Sequence, residues 1–246
     1  MPDRIVLSLT GADRVEFLQG LVTNDVRKAA EGPVYAALLT PQGKFIADFF
    51  VLADGERLLI DVAASHAPLL YQRLSMYRLR ADVQLGETDL KVKRGTGPAP
   101  EGAVADPRHP EMGWRLYGTE AGDDGTDWDA LRVRLGIPAT GVELTDDAYI
   151  LEMGFERLNG VDFRKGCFVG QEIVARMKHK TELRKGLARV AIDGAAAPGD
   201  EITSEGRPVG RLHSVAGDEG LAFLRFDRAE GEMQAGEATL RRIDEA

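Results

Sequence analysis

The chain has one cysteine, Cys167, and it lies in the segment most able to do chemistry, VDFRKGCFVGQEIVARMKHKTELRKG, residues 161–186. Lys165 and Gly166 precede the thiol and Gly170 follows it. Ile173, Val174 and Met177 then share one face of a helix expected over about 171–180. A cysteine just ahead of a helix N-terminus and beside a lysine sits in a positive field. Such a field favours the thiolate, the form that attacks electrophiles and binds soft metals. The two glycines allow the backbone to turn sharply and approach a ligand. The competing reading is a small hydrophobe packed in the core. Gln171 and Glu172 suit either a ligand or the capping of the turn and helix. Arg176 suits either an anion or plain solvation of its helix.

Charge sharpens the first reading. Arg164, Lys165, Arg176, Lys178, Lys180, Arg184 and Lys185 stand against Glu172 and Glu182, so residues 164–185 carry +5 in a chain of −9. A basic island on an acidic protein suits an anionic ligand such as a carboxylate tail or a phosphate. A solvated helix face paired with acids elsewhere is the alternative. Arg78 and Arg80 are two apart on an expected strand, so they would share a face and could pair with a ligand carboxylate, although a solvent-facing stripe is the commoner explanation. The four histidines, His66, His109, His179 and His213, have no metal-ligand spacing, and a single cysteine supports neither an internal disulfide nor a thiolate zinc site. No metal site is expected.

The elements that position these residues read as α+β. Strands are expected over 4–9, 34–40, 45–53 and 57–63, with PQGK (41–44) as a turn and RLRADVQL (78–85) as a further strand. Thr10 reads as the N-cap of a first helix, and a second helix runs from about 67 to 76. Residues 95–126 read as a loop-rich connection, and a helix from about 128 to 135 ends at Gly136 and Pro138. From Lys185 on, short β-like runs alternate with Gly, Asp and Pro turns, which predicts a small β-barrel over 185–246 after a first region, 1–184. The composition, 43% hydrophobic and 29% charged, is that of a globular chain. The net charge argues against nonspecific nucleic-acid binding. No apolar run approaches the ~20 residues of a membrane helix. The start, MPDRIVLSLTGADR, lacks a signal-peptide pattern, so a cytoplasmic location is expected.

KGCFVGQEIVAR (165–176) resembles the motif of the YgfZ family, which includes mitochondrial iron–sulfur assembly factors and is related to the glycine-cleavage T-protein, a tetrahydrofolate-dependent aminomethyltransferase. GADRVEFLQGLVTNDV (11–26), LLTPQGKFIADFFV (38–51), LRVRLGIP (131–138) and GRPVGRLHSV (206–215) resemble further family segments in the same order. The resemblance implies an aminomethyltransferase-like ring of mostly antiparallel sheets with helices, two interleaved subdomains within 1–184, and a C-terminal barrel. It implies tetrahydrofolate or a related reduced folate as ligand, with Lys165, Gly166, Gly170, Gln171, Glu172, Arg176, Arg78 and Arg80 as binding candidates and Cys167 as the functional thiol. The implied partners are iron–sulfur apo-proteins or assembly factors, with no membrane or nucleic acid. Two carboxylates of the transferase are missing: their places hold Ala47, followed by Asp48, and Arg134. General acid–base work and the grip on an aminopyrimidine both need such groups. The resemblance therefore implies a folate-binding accessory protein that has lost transferase activity; a true glycine-cleavage aminomethyltransferase and a pure interaction module are the rival readings.

Overall fold

The computed structural model describes residues 3–179 and 183–243. Lys180 and Glu182 of the basic island, and the end of the expected 171–180 helix, lie outside them. The chain divides into two units that are not consecutive stretches: Met1–Thr126 with Phe155–Ala175, and Asp127–Gly154 with Arg176–Ala246.

The first unit is built on an antiparallel sheet of β1 (Arg4–Thr10), β2 (Val34–Leu39), β3 (Phe45–Asp54), β4 (Arg57–Ala63) and β5 (Gln84–Glu87), in the order β2-β3-β4-β1-β5. Alternate residues of a strand point to opposite faces. On one face Leu7, Leu9, Ala36, Leu38, Phe49, Val51, Ile60 and Val62 pack against α1 (Arg14–Gln19) and α2 (Ala67–Tyr77). Helix α2 turns Ala67, Leu70 and Leu74 inward at helical spacing. Removing one such side chain, as in Phe49→Ala, costs about 3–5 kcal/mol.

The opposite face is polar and aromatic. Tyr35, one residue out of phase with Ala36, stacks on Phe155 at 5.0 Å and meets Phe50 at 5.3 Å. Three guanidinium groups surround the Phe50 ring, Arg115 at 4.0 Å, Arg108 at 4.9 Å and Arg4 at 5.4 Å from its centroid. Two buried carboxylates hold them. Asp61 accepts from Arg4 Nε at 2.6 Å, from an Arg115 terminal nitrogen at 2.7 Å and from the Tyr117 hydroxyl at 2.9 Å. Asp106 accepts from Arg108 at 2.8 Å and from the other Arg115 terminal nitrogen at 3.2 Å.

Arg115 reaches this cluster from a second sheet. Residues 95–126 are not the loop-rich connection expected. With β6 (Lys91–Gly95), they supply β7 (Val104–Ala105), β8 (Trp114–Gly118) and β9 (Gly122–Asp123), in the order β7-β8-β6-β9 with β6 and β9 parallel. Strands of two to five residues among glycines and prolines have too few alternations to show a period. Gly113 is required here: its φ is +66°, and a Cβ would lie 2.1 Å from the Gly95 carbonyl oxygen.

Two other expectations are corrected. The N-cap of α1 is Asp13, not Thr10, because Thr10 pairs with Gln84 and extends β1. The strand expected over 78–85 starts at Gln84. Arg78 caps α2, Leu79 turns left-handed at φ +40°, and Ala81 N–H closes the turn on the Arg78 carbonyl at 2.8 Å. Arg78 and Arg80 therefore share no strand face.

In the second unit α3 (Trp128–Arg134) starts at Asp127, whose carboxylate accepts from Ala130 N–H at 3.0 Å. The chain enters this unit again within α4 (Gln171–Lys178) and closes a six-stranded barrel. Its strands are β10 (Lys185–Asp193), β11 (Glu201–Ser204), β12 (Arg207–Ala216), β13 (Glu219–Arg225), β14 (Glu232–Ala235) and β15 (Ala238–Ile243), in the order β10-β13-β12-β11-β14-β15. Val190, Ile202, Leu212, Leu224, Met233 and Leu240 fill it. Ser214, which closes the GRPVGRLHS motif, is buried with Glu143 and Arg132: its hydroxyl donates to the Glu143 carboxylate and accepts from Arg132 at 2.8 Å. That serine is a structural tie between α3 and the barrel.

Burial alone would raise the Asp106 carboxyl, but Arg108 and then Arg115 outweigh it and hold it at about 2, against 3.8 for an ordinary aspartate. Asp61 is lowered as well: burial opposes, and Arg115 and Arg4 prevail. Asp106 binds fewer protons folded than unfolded between these limits, so its contribution is complete above about pH 4 and lost as pH falls through about 2, and Asp61 acts in the same direction. Arg115→Met, which leaves two buried carboxylates short of a partner, is expected to lose about 3–5 kcal/mol at neutral pH. Denaturant unfolding of both proteins from pH 7 to pH 2 checks this; the variant's deficit should shrink as the carboxylates protonate, and a constant deficit contradicts the assignment.

Candidate functional site

The segment around Cys167 is a loop fastened along its length to the N-terminal part of its own unit. Thr23 begins the attachment: its hydroxyl donates to the Gly160 carbonyl at 2.7 Å and accepts from Ala37 N–H at 2.9 Å, and its carbonyl accepts from Asp162 N–H at 3.0 Å. Asn24 donates through one side-chain nitrogen to the Asn159 carbonyl at 2.6 Å and the Tyr35 carbonyl at 2.8 Å. Asn159 itself is left-handed, φ +54°, a conformation asparagine tolerates. Lys28 Nζ bonds the Asp162 carboxylate at 2.6 Å.

Lys165 is the next anchor. It is 9% exposed, and its ammonium donates to the Gln19 carbonyl at 2.5 Å and to the Cys167 carbonyl at 3.4 Å. Gln19 answers, donating from Nε2 to the Lys165 carbonyl at 3.3 Å while its Oε1 accepts from Val26 N–H at 2.8 Å. Burial pulls the Lys165 ammonium down to about 8, against the pull of Asp25 and Cys167. The lysine of the motif thus spends its hydrogen bonds on backbone carbonyls.

Gly170 fixes the far end. Its φ is +82°, and a Cβ there would lie 2.6 Å from the Thr40 carbonyl oxygen and 3.0 Å from Gly43 Cα. Gly43, φ +74°, faces Ile173 of α4 at comparable range. The glycines of the hairpin turn and of the cysteine motif let two backbones touch. Gln171 closes the loop, its Oε1 accepting from Phe168 N–H at 3.1 Å. Between these anchors Cys167 is exposed. The core-packed reading of the cysteine does not hold. Gly166, φ +98°, meets nothing within 4 Å of a would-be Cβ.

The remaining candidates separate. Glu172 and Arg176 are exposed on α4, and Arg78 and Arg80 are exposed after α2. Ala47 is fully buried in the core cluster, and Asp48 is buried with the Tyr35 hydroxyl donating to it at 3.0 Å. Arg134 is exposed on α3. Among the described residues no group of three or more His, Cys, Asp or Glu side chains could hold a metal ion.

Beside the loop lies an open cleft of about 680 Å³ whose walls include Lys28, Glu31, Tyr35, Glu156, Phe163 and Arg164. Of these, sequence reasoning named only Arg164, as part of the basic island; it missed the other five, and it missed Gln19, Thr23 and Asn24 as loop anchors. Their signal was present in LQGLVTND (18–25), a family-like run of eight residues in which Gln19, Thr23 and Asn24 place polar side chains near the helix end. Phe163 is 41% exposed, one of the few large apolar side chains so placed, and the Arg164 side chain is 91% exposed. None of the nine candidates named from the sequence lines the cleft; Cys167 stands three residues beyond Arg164 on the loop that forms one wall.

Residues 184–244 match the family description "CAF17, C-terminal beta-barrel domain". The chain is 33% identical to the mitochondrial iron–sulfur cluster assembly factor IBA57 homolog of Mycosarcoma maydis over 80% of its length, and spans 58% of that relative. It is 30% identical to the corresponding protein of Pyricularia oryzae, covering 92% of this chain and 71% of the relative. The human protein of that name is 29% identical, over 94% of this chain and 78% of its own length. In structure the chain resembles glycine cleavage system aminomethyltransferase T from Bartonella henselae, with a TM-score of 0.75 at 11% identity, over 98% of this chain and 83% of the other. That likeness establishes the aminomethyltransferase-like fold. The expected cytoplasmic location is corrected: each of these sequence relatives is named as mitochondrial, and the location they point to is the mitochondrion.

Gly166→Ala and Gly170→Ala separate the two glycines. Both place alanine at positive φ, but only the second also drives a Cβ into backbone. Gly170→Ala is expected to lose more than about 1 kcal/mol and to exceed the loss from Gly166→Ala clearly. Thermal melts of the pair check it; equal losses contradict the close approach as the reason for Gly170.

Proposed function

For a chain that belongs to the IBA57 family of iron–sulfur cluster assembly factors, we propose that this protein supports assembly or repair of iron–sulfur proteins through the Cys167 thiol, and that it binds a reduced folate. The observation that carries the first half is an exposed thiol on a loop pinned on both sides. A flexible surface cysteine would gain nothing from such anchors. A thiol that must meet a cluster-bearing or cluster-lacking partner needs a fixed position and open access. Thiolate is the usual protein ligand of iron–sulfur clusters, and a cluster here is cargo. Iron–sulfur apo-proteins and their assembly factors are the partners this implies. The YgfZ resemblance agrees at the coarser level, an iron–sulfur factor on the T-protein fold.

The folate half rests on the cleft. Its volume lies within the range of small-molecule sites. The Phe163 ring offers a pterin a stacking face. The carboxylates of Glu31 and Glu156 match the paired N–H donors of an aminopyrimidine, and Arg164, with Lys28 beside Asp162, suits the carboxylates of a glutamate tail. The donor set fits the ligand in kind. A bound reduced folate supplies a secondary amine able to carry a one-carbon unit. Residues 165–172 then act by holding the wall of the cleft and the thiol, and Arg176, which belongs to the second unit, is given no part in it. Arg78 and Arg80 have no part in this site. The transferase reading is the weaker one, since position 47 is a buried alanine, Asp48 is engaged by Tyr35, and position 134 holds an arginine in place of a carboxylate.

Two measurements test the halves separately. Cys167→Ser changes one exposed side chain, so its stability should stay within about 0.5 kcal/mol of the parent, yet it should fail to restore iron–sulfur enzyme activity in cells lacking the protein. A stable and fully active Cys167→Ser protein contradicts the thiol's role. Tetrahydrofolate at 100 times its dissociation constant should stabilise the fold by roughly 2.7 kcal/mol, and Phe163→Ala should diminish that gain. A melting temperature unmoved by saturating tetrahydrofolate removes the folate half and leaves the thiol half standing.

A further inference from the structure

Large exposed apolar side chains of the described residues concentrate on helix α2 and the turn after it. Among the described residues the large exposed apolar side chains are Leu69, Tyr71, Met76, Leu79, Val142 and Phe163, and four of these lie between positions 69 and 79. Leu69 and Met76 are seven apart, so they share the outer face of α2, opposite Leu70 and Leu74. Met76 is 60% exposed and Leu79 is 90% exposed. Leu79 sits in the left-handed region at φ +40°, where a branched side chain is strained, and it gives the core nothing in return. Exposed Arg78 and Arg80 flank it. Between Asp61 and Asp82 there is no acidic residue, only Arg73, Arg78 and Arg80 and one histidine, in a chain whose net charge is −9.

We infer that this face is a membrane-surface contact: Met76 and Leu79 enter the interfacial layer of an anionic lipid bilayer while Arg78 and Arg80 meet its headgroups. Aliphatic side chains beside arginines are the composition of interfacial segments. The residues favour lipid over a protein partner. The cleft draws no lining residue from this face. Its two most exposed members are aliphatic, Leu79 and Met76, while Tyr71 is only 38% exposed. Apart from this segment and the basic island at 164–185 the chain is acidic, and of the two basic regions this one joins its arginines to the large exposed aliphatic side chains. The contact goes beyond the thiol-and-folate reading and stands or falls without it.

Vesicle flotation of the whole protein tests it. The probes are vesicles of phosphatidylcholine alone and of phosphatidylcholine with an equal part of phosphatidylglycerol. The protein should float with the second and not the first, and high salt should release it. Arg78→Glu with Arg80→Glu should lower the vesicle partition coefficient by about fivefold or more per arginine. Leu79→Gly should also weaken binding while leaving the melting temperature equal or higher, because glycine relieves the backbone and no packing is lost. Absence of flotation at low salt overturns the inference. So does flotation that these variants leave unchanged. If the variants abolish iron–sulfur enzyme support while the parent binds no vesicles, the face belongs to a protein partner and the lipid assignment is wrong.

Discussion

The contact on which the first unit depends is the buried fork between Asp61 and Arg115. Asp61 belongs to the central strand pair of the five-stranded sheet, and Arg115 to the middle of the four-stranded one. Neither side chain can be left alone in a dry interior, so each sheet requires the other. Arg4, Arg108 and Asp106 extend the fork, and the Phe50 ring fills the space under three guanidinium planes. The arrangement is specific in a way that an apolar contact is not, because a shift of one residue in β8 would turn Arg115 to the other face. With the sheets in register, β2 is held, and with it Tyr35, whose carbonyl anchors Asn24.

That chain of dependence ends at the thiol. Thr23, Asn24 and Gln19 are presented by the segment between α1 and β2, and they bind a loop some 140 residues further along the chain. Gly170 and Gly43 bring the other end of the loop onto the hairpin turn. Lys165 then lies inside the loop and works as a strut. An exposed cysteine, an exposed phenylalanine and an exposed arginine remain on the outside. The fold thus divides the motif into residues that hold and residues that face outward.

The main sheet, α2 and the barrel were legible in the sequence because their strands are long enough to show a period and their turns carry glycine and proline. β6 to β9 were not, since strands of two to five residues among glycines and prolines show no clear period and Arg115 reads as a surface charge until its carboxylates are known. Arg78 and Arg80 were placed on one strand face because Ala81, Val83 and Leu85 alternate; the left-handed Leu79 breaks that alternation and nothing local announces it. At the site, the flanking glycines announced sharp turns, and Gly166 and Gly170 both take positive φ, but spacing left open whether Cys167 is exposed or packed in the core, and the task of Lys165 was hidden because its partner carbonyl belongs to residue 19. The resemblance to iron–sulfur assembly factors was legible from the ordered motifs, and the sequence relatives bear out that coarser reading. A location inferred from the absence of a signal-peptide pattern was not a safe inference.

The central claim is that the fold holds the only thiol of the chain open to solvent. A thiol titration of the native protein with a disulfide reagent tests it most directly, since no other cysteine can contribute to the signal. The account predicts one equivalent reacting in the folded protein, without denaturant, on the timescale of the unfolded chain. A thiol that stays silent until the protein is unfolded would contradict it.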